Sequence, residues 1–211
     1  MLKYMHTSQR GGDIMSKTKE IMKIVAKNKG VITTNQLTDL GIHRQYLSNL
    51  VKLGKLEKVE RGVYVSVNTF EDKLFSLQSR FNKGIYSHST ALYLHGLTDR
   101  TPLKYTMTFP TPYNITNVQK YNVKTYRSND KLYNIGLDTV HTNNGHKVNV
   151  YSIEKTLCDI VRGNSKVGKE EVVNAFKGYS MRKNKDLNVL FKYASLLKVE
   201  SKVRGYMEVL I

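Results

Sequence analysis

The sequence has little of what secreted and membrane proteins need. Among its 211 residues there is one cysteine, Cys158, and there is no tryptophan. A single cysteine cannot form an internal disulfide, and it fits the reducing cytoplasm. No segment approaches the roughly 18–20 consecutive apolar residues of a membrane-spanning helix, and residues 1–14 lack the apolar run of a signal peptide. We therefore expect a cytoplasmic protein that does not enter a membrane.

Acidic side chains are also scarce. Seventeen Asp and Glu residues stand against 34 Lys and Arg residues, which gives a formal net charge of +17 and a pI near 9.8. Solubility requires much less charge than this, so the excess favours an acidic partner such as nucleic acid. Residues 1–68 carry 12 basic and 5 acidic side chains, residues 69–165 carry 12 and 7, and residues 166–211 carry 10 and 5. A DNA-binding segment at one end therefore cannot account for the whole excess.

Residues 1–15 are interpreted as a disordered leader, because they are polar and show no helical period. Arg10-Gly11-Gly12-Asp13 precedes Met15, and its codons can spell a bacterial ribosome-binding sequence ahead of an ATG. This favours Met15 as the natural start, with residues 1–14 as translated upstream sequence. An ordinary disordered N-terminus is the alternative, and other codons at the two glycines would remove the first interpretation.

Residues 16–68 follow the element order of a winged helix-turn-helix: helix, helix, turn, helix and hairpin. Helix starts are indicated by side chains that can accept from orphan backbone N–H groups, and helix ends by glycine. A glycine between two short β patterns indicates the hairpin turn. The signals are N-caps at Ser16 and at Thr33 or Thr34, helix ends at Gly30, Gly41 and Gly54, and a turn at Gly62 between strands over 56–59 and 63–65.

The third helix pattern, from near His43 to Leu53, has one apolar and one polar face. At about 100° per residue, Leu47, Leu50 and Val51 share the inward face. The opposite face carries no acid and suits the major groove, where Arg reads guanine and Asn or Gln reads adenine. Cations on the hairpin would meet backbone phosphates. The predicted DNA-contacting residues are Arg44, Gln45, Tyr46, Ser48, Asn49 and Lys52 on the helix, and Lys58 and Arg61 on the hairpin.

Residues 69–211 predict a second, basic domain of mixed α+β class, with a boundary near Asn68. We expect a mainly antiparallel sheet with helices at both ends and a helical C-terminus. Thr142-Asn143-Asn144-Gly145 is typical of a hairpin turn between the last two strands. The patterns are, in order, helices over 70–81 and 90–95, strands over 105–109, 123–126, 135–141 and 147–151, and helices over 153–161, 169–176, 187–197 and 202–210.

No constellation in the sequence predicts an enzyme, a metal site or a cofactor. His88 and His95 are too far apart for the i, i+4 zinc arrangement, so a capping or core role is preferred. Cys158 lies on an apolar helix face and is interpreted as a buried, inert thiol. Glu71-Asp72-Lys73 matches the carboxylate-x-lysine pair of metal-dependent nucleases, but it opens a helix, which favours a chance match. The eleven tyrosines after residue 69 are expected to pack the sheet, with nucleic-acid stacking as the alternative.

Four segments stand out in order along the chain: GIHRQYL at residues 41–47, LEKVERGVYV at 56–65, SHSTALYLHGL at 87–97 and YSIEKTLCD at 151–159. Together they resemble the AbiEi family of antitoxins, and the resemblance covers residues 16–211. His43 stands where the third helix of that family usually opens with a small hydroxyl residue, so the geometry of this cap is open.

This resemblance implies a division of labour in a bacterial type IV toxin–antitoxin operon, of the kind associated with phage defence by abortive infection. The winged helix would bind inverted repeats of double-stranded DNA in its own promoter and repress transcription. Residues 69–211 would neutralise a cognate nucleotidyltransferase-like toxin without forming a stable complex with it. The residues themselves support the first role directly and the second only through their basicity.

Two other functions stay open at this point. One is a plain transcriptional regulator whose second domain senses a ligand or oligomerises. The other is a nuclease targeted by the winged helix, which would require Glu71. Within the antitoxin interpretation, the basic second domain could hold DNA, bind the RNA target of the toxin or counter the toxin by another route.

Overall fold

The computed structural model describes residues 5–67 and 72–210, with side chains from residue 16 onward. Contacts between residues divide the chain into two compact units. Unit 1 takes the chain up to Arg80 together with the turn Thr142–His146, and unit 2 takes Phe81–His141 and the chain from Lys147 onward. Each unit contains helices and a sheet, so the mixed α+β class expected from the sequence is confirmed.

In the described part of unit 1, four helices pack with a small antiparallel sheet. Its buried core is formed by aliphatic side chains that recur at helical spacing, such as Ile21 and Val25, and by Leu37, Leu47 and Leu50. The strands lie in the order β1-β3-β2. The elements are α1 (Met5–Lys27), β1 (Val31–Thr33), α2 (Thr34–Asp39), α3 (Gln45–Lys52), β2 (Leu56–Glu60), β3 (Val63–Ser66) and α4 (Lys73–Arg80).

The capping residue of α2 and the turn glycine of the hairpin have the roles that the sequence predicted. The Thr33 hydroxyl accepts from the Gln36 N–H at 3.2 Å while the Gln36 side chain accepts from the Thr33 N–H at 2.9 Å, a complete capping box at the start of α2. Gly62 turns the β2–β3 hairpin at φ +81°, the left-handed region that glycine enters without strain. Register shifts by one residue between Lys58 and Glu60, which places a bulge next to this turn.

Helix α1 begins at Met5, so the predicted N-cap at Ser16 is wrong. The segment 5–15, which was interpreted as a leader, continues the same helix. The physical reason is that serine is also accepted inside a helix, so a good capping residue does not by itself start one.

Helix α4 belongs to unit 1, because it packs against β2 and β3. Asp72 precedes it and is buried, with one carboxylate oxygen accepting from the Phe75 N–H at 3.1 Å. The other oxygen accepts from the Thr142 hydroxyl and lies 2.8 Å from Nδ1 of His146. The boundary expected near Asn68 and the predicted helix start at Phe70 lie outside the described residues, whereas the division by contacts falls after Arg80.

Unit 2 is built on a five-stranded sheet in the order β6-β5-β4-β8-β7. Gly145, at φ +77°, lies in the turn between β7 and β8, as the sequence predicted. The elements are β4 (Ile85–Tyr86), α5 (His88–Leu94), β5 (Tyr105–Pro110), α6 (Thr116–Gln119), β6 (Val123–Ser128), α7 (Asp130–Tyr133), β7 (Leu137–His141), β8 (Lys147–Tyr151), α8 (Ile153–Ile160), α9 (Lys169–Ser180), α10 (Leu187–Leu196) and α11 (Glu200–Glu208).

This sheet is mixed, which corrects the expectation of a mainly antiparallel one. Strands β4 and β5 pair antiparallel, as do β7 and β8, but β5 pairs parallel with β6 and β4 pairs parallel with β8. A parallel pair needs a crossover connection. The segment between Pro110 and Val123 supplies one and contains the short helix α6.

The helices α8 to α11 share one buried cluster in unit 2. Its largest members are Phe176 and Tyr179 on α9, packed with Leu157 and Cys158 of α8 and Leu190 of α10. Ser152 caps α8, its hydroxyl accepting from the Lys155 N–H at 3.3 Å. Within the described ranges no helix is both long and apolar enough to cross a membrane.

Candidate nucleic-acid interface

Helix α3 presents the face on which the sequence placed the DNA contacts. Leu47 and Leu50 are fully buried against the core of unit 1. The side chains of Arg44, Gln45, Ser48 and Lys52 are exposed, and Asn49 is half-buried, all on a helix that carries no acid. Tyr46 is different, because its half-buried ring packs on the core cluster. Its hydroxyl end alone is therefore suited to a contact with DNA.

The N-terminus of α3 is closed by an imidazole instead of a hydroxyl. Nδ1 of His43 accepts from the backbone N–H of Gln45 at 3.2 Å, while Arg44, the N-cap by position, makes no side-chain cap. The cap that the sequence left open is therefore made by His43. The Arg44 side chain, which makes no cap, is exposed at the N-terminal end of α3.

The β2–β3 hairpin adds two cations close to its turn. Lys58 is exposed on β2, opposite Tyr64, and Arg61 is exposed at the tip beside Gly62. Of the two acids on β2, Glu60 is paired with Arg80 of α4, and Glu57 is exposed beside Lys58. Because the ion pair offsets the charge of Glu60, less negative charge is left near Arg61 to repel a phosphate.

A second cationic surface in unit 1 lies along α1, and the sequence analysis did not select it. Lys19 and Lys23, one turn apart, line an open groove of about 380 Å³ with Lys55, which follows α3. Met22 and Ala26 form its apolar floor. The i, i+4 spacing of the two lysines was visible in the sequence, but a basic helix face is usually only solvated.

In unit 2 the most unusual cluster surrounds His88. This residue opens α5 at φ +49°, and its ring stacks on Tyr126 with centroids 3.6 Å apart. The Thr108 hydroxyl donates to Oγ of Ser87 at 2.9 Å, and Ser87 Oγ lies 3.1 Å from Nδ1 of His88. Burial, and then the charge of Lys155, lowers the pKa of His88 to about 3. The imidazole is therefore neutral near pH 7, which suits a structural role.

Beside it lies a buried ion pair. Lys155 and Asp159, one turn apart on α8, are both almost completely buried, with Nζ 2.6 Å from the carboxylate. Burial raises the pKa of Asp159, while Lys155 opposes that rise. The Lys155 ammonium also lies 4.6 Å from the centroid of the Tyr151 ring. These contacts account for both charges inside the fold.

The other residues considered for chemistry are also placed in structural roles. Nε2 of His95 lies 2.7 Å from the carbonyl oxygen of Tyr151. Cys158 is fully buried, and burial raises the pKa of its thiol to about 12, so the predicted inert thiol is confirmed. Asp72 and Lys73 open α4 as expected, and Glu71 lies outside the described residues. No cluster of three or more His, Cys, Asp or Glu side chains in the described ranges could hold a metal ion.

Comparison with known proteins bears on the segment that carries the α3 face. Residues 19–67 match the family model described as "Transcriptional regulator, AbiEi antitoxin". This match confirms the resemblance over residues 19–67. The fold is similar to the crystal structure of the RV2827C protein from Mycobacterium tuberculosis, with a TM-score of 0.55 and 14% identity, over 92% of this chain and 80% of that chain. At this identity the likeness shows the fold alone. No curated protein sequence gives a significant match.

Proposed function

We propose that this chain is a DNA-binding antitoxin that represses its own bacterial type IV toxin–antitoxin operon. In this proposal residues 16–67 are a winged helix-turn-helix that reads inverted repeats in the operator. Residues 69–211 neutralise a nucleotidyltransferase-like toxin without a stable complex. The observation that carries the proposal is the acid-free, exposed face of α3 beside a cationic hairpin, within the segment that matches the antitoxin family model.

The element order supports the winged helix-turn-helix. Helices α2 and α3 are joined by a short turn at Gly41, and the hairpin β2–β3 follows α3 directly. The first strand, β1, pairs with β3, so the hairpin is tied into the core by a third strand. In such folds the second helix of the turn motif enters the major groove and the hairpin lies along the backbone.

Roles can be assigned by side-chain chemistry. Arg44 has two parallel donors, and Gln45 and Asn49 each have a donor beside an acceptor; these groups distinguish one base pair from another. Ser48 and Tyr46 supply single hydroxyls. Lys52, Lys58 and Arg61 are placed to contact phosphates, which fix the orientation of the protein without reading sequence. These are proposed contacts for all eight predicted residues.

The test separates repression from neutralisation in the full chain. We expect the double variant R44A/Q45A to lose repression of a reporter placed behind the chain's own promoter. The same variant should still rescue growth when the adjacent toxin gene is expressed, because unit 2 is unchanged. K177Q, an exposed lysine of α9, is the matched control and should keep both properties.

The two alternatives predict other outcomes of this experiment. A plain regulator would have no toxic neighbouring gene to rescue from. A nuclease would cleave DNA in the presence of a divalent metal and would lose that cleavage in Glu71→Ala. Loss of rescue together with repression in R44A/Q45A would contradict the proposed division of labour.

A further inference from the structure

A cleft in unit 2 has the character of a ligand site that the DNA-binding role does not use. It has a volume of about 570 Å³ and lies between the end of α8, the loop that leads to α9, and α11. This volume is within the range of pockets that hold small organic molecules. The polar and aromatic side chains that line it are Arg162, Ser165, Lys169, Ser201, Lys202 and Tyr206.

The charge of the lining is of one sign. Three of these side chains are cations and no carboxylate is among the lining residues. Arg162 lies 3.8 Å from a carboxylate oxygen of Asp159, but Lys155 already occupies that carboxylate at 2.6 Å. The Lys202 ammonium donates to the carbonyl oxygen of Val161 at 3.1 Å, which leaves two of its three N–H groups for a ligand. An anion therefore gains charge-assisted hydrogen bonds here without displacing a strong ion pair.

The start of α9 adds backbone donors to the same cleft. Its N-cap, Gly168, has no side chain to satisfy the first N–H groups of this twelve-residue helix. The acids of the first turn, Glu170 and Glu171, lie outside the cleft lining. The first N–H groups of α9, beside Lys169, have no side-chain cap, and such groups are suited to phosphate oxygens, which accept several hydrogen bonds at once.

The rest of the lining is suited to a flat organic group. Tyr206 is half-buried and stacks on Phe176, with ring centroids 4.7 Å apart and planes 13° from parallel. Stacking on a buried aromatic holds the tyrosine ring in one orientation, so the part that lines the cleft is a fixed surface. Four aliphatic side chains from α8, α9 and the loop complete the walls. Inorganic phosphate would leave this apolar surface uncovered.

From these observations we infer that the cleft of unit 2 binds a nucleotide-like phosphate, with the phosphate held by Arg162, Lys169 and Lys202 and the ring beside Tyr206. The phosphate is carried either by a free nucleotide or by the 5′ end of an RNA strand. The inference uses unit 2 alone and does not depend on operator recognition by residues 16–67.

The experiment titrates the full chain with AMP, adenosine and inorganic phosphate by isothermal calorimetry. AMP should bind more tightly than either fragment, and Lys169→Gln should weaken AMP binding about tenfold or more, as expected for a lost charge-assisted contact. Tyr206→Leu should weaken AMP binding but leave phosphate binding unchanged. The matched control Lys177→Gln, on the same helix outside the cleft, should bind AMP as the parent chain does. Thermal unfolding of each variant, followed by circular dichroism, confirms that it is folded.

Three results would overturn the inference: no heat of binding with millimolar AMP, equal affinity for AMP and adenosine, or equal AMP affinity in Lys169→Gln and the parent chain. Competition then identifies the source of the phosphate. A short RNA with a 5′ phosphate that displaces AMP, where the same RNA with a 5′ hydroxyl does not, assigns the site to RNA ends. Failure of both RNAs to displace AMP assigns it to free nucleotides.

Discussion

The exposed residues around α3 divide into side chains that can read bases and side chains that can only hold phosphates. Arg44→Ala or Gln45→Ala should cost about 1–3 kcal/mol on the operator and relax base preference, because each removes a bidentate contact. Lys58→Ala or Arg61→Ala should weaken operator and random DNA alike and reduce the salt slope by about one. Fluorescence anisotropy on both DNAs at several salt concentrations measures this. Identical behaviour of the two pairs would contradict the assignment of α3 as the reading helix.

His88 predicts a pH dependence of stability. In the unfolded chain its pKa is the ordinary 6.5, and in the fold it is lowered to about 3 by burial and by Lys155. The unfolded state therefore binds a proton between these values while the folded state does not. The contribution to stability is present above pH 6.5 and is lost as the pH falls, by at most about 1.4 kcal/mol per pH unit.

Denaturant unfolding between pH 4.5 and 7.5 tests this. His88→Asn should flatten the pH dependence, since asparagine tolerates the left-handed backbone of this position and does not titrate. The exposed His141 supplies the control, because His141→Asn should leave the dependence as it is. If the parent chain and His88→Asn lose stability equally on acidification, His88 is not the titrating group.

At the level of single residues, the helical period was enough to divide α3 into a buried and an exposed face. Leu47 and Leu50 are fully buried, and they define the inward face of α3. The groove of Lys19, Lys23 and Lys55 could not be predicted in the same way. It depends on α1 packing against α3, which brings together lysines that are far apart in the sequence.

At the level of elements, substitution of Gly62 tests how much the turn of the β2–β3 hairpin contributes to stability. Its φ is +81°, and a Cβ there would lie 2.8 Å from Oγ1 of Thr34. Gly62→Ala should therefore cost about 1–2 kcal/mol for the left-handed backbone alone. The control is Gly163→Ala, where the backbone is not left-handed and nothing lies within 4 Å of the new Cβ. Thermal unfolding compares them, and equal losses would show that the turn is not the cause.

The elements also show where sequence patterns stop being informative. The cap at Thr33 was found because its chemistry is local. The direction of strand pairing was not, because residues alternate between two faces in parallel and antiparallel strands alike. The helices α6 and α7 have four residues each, too few to show a 3.6-residue period. The mixed strand directions in the sheet of unit 2 therefore could not be predicted from the sequence.

At the level of the whole molecule, the charge of +17 is spread along the chain, while the proposed DNA contacts all lie in unit 1. The exposed lysines Lys183 and Lys192 of unit 2 separate general attraction from direct contact. K183Q/K192Q should leave the salt slope of operator binding unchanged, because only cations that neutralise phosphates release counterions. In contrast, K58Q/R61Q, which removes the same number of charges, should reduce that slope by roughly two.

Anisotropy titrations from low to physiological salt measure both slopes. An equal reduction in the two variants would mean that unit 2 also lies on the DNA, and its basicity would then have to be explained by the operator.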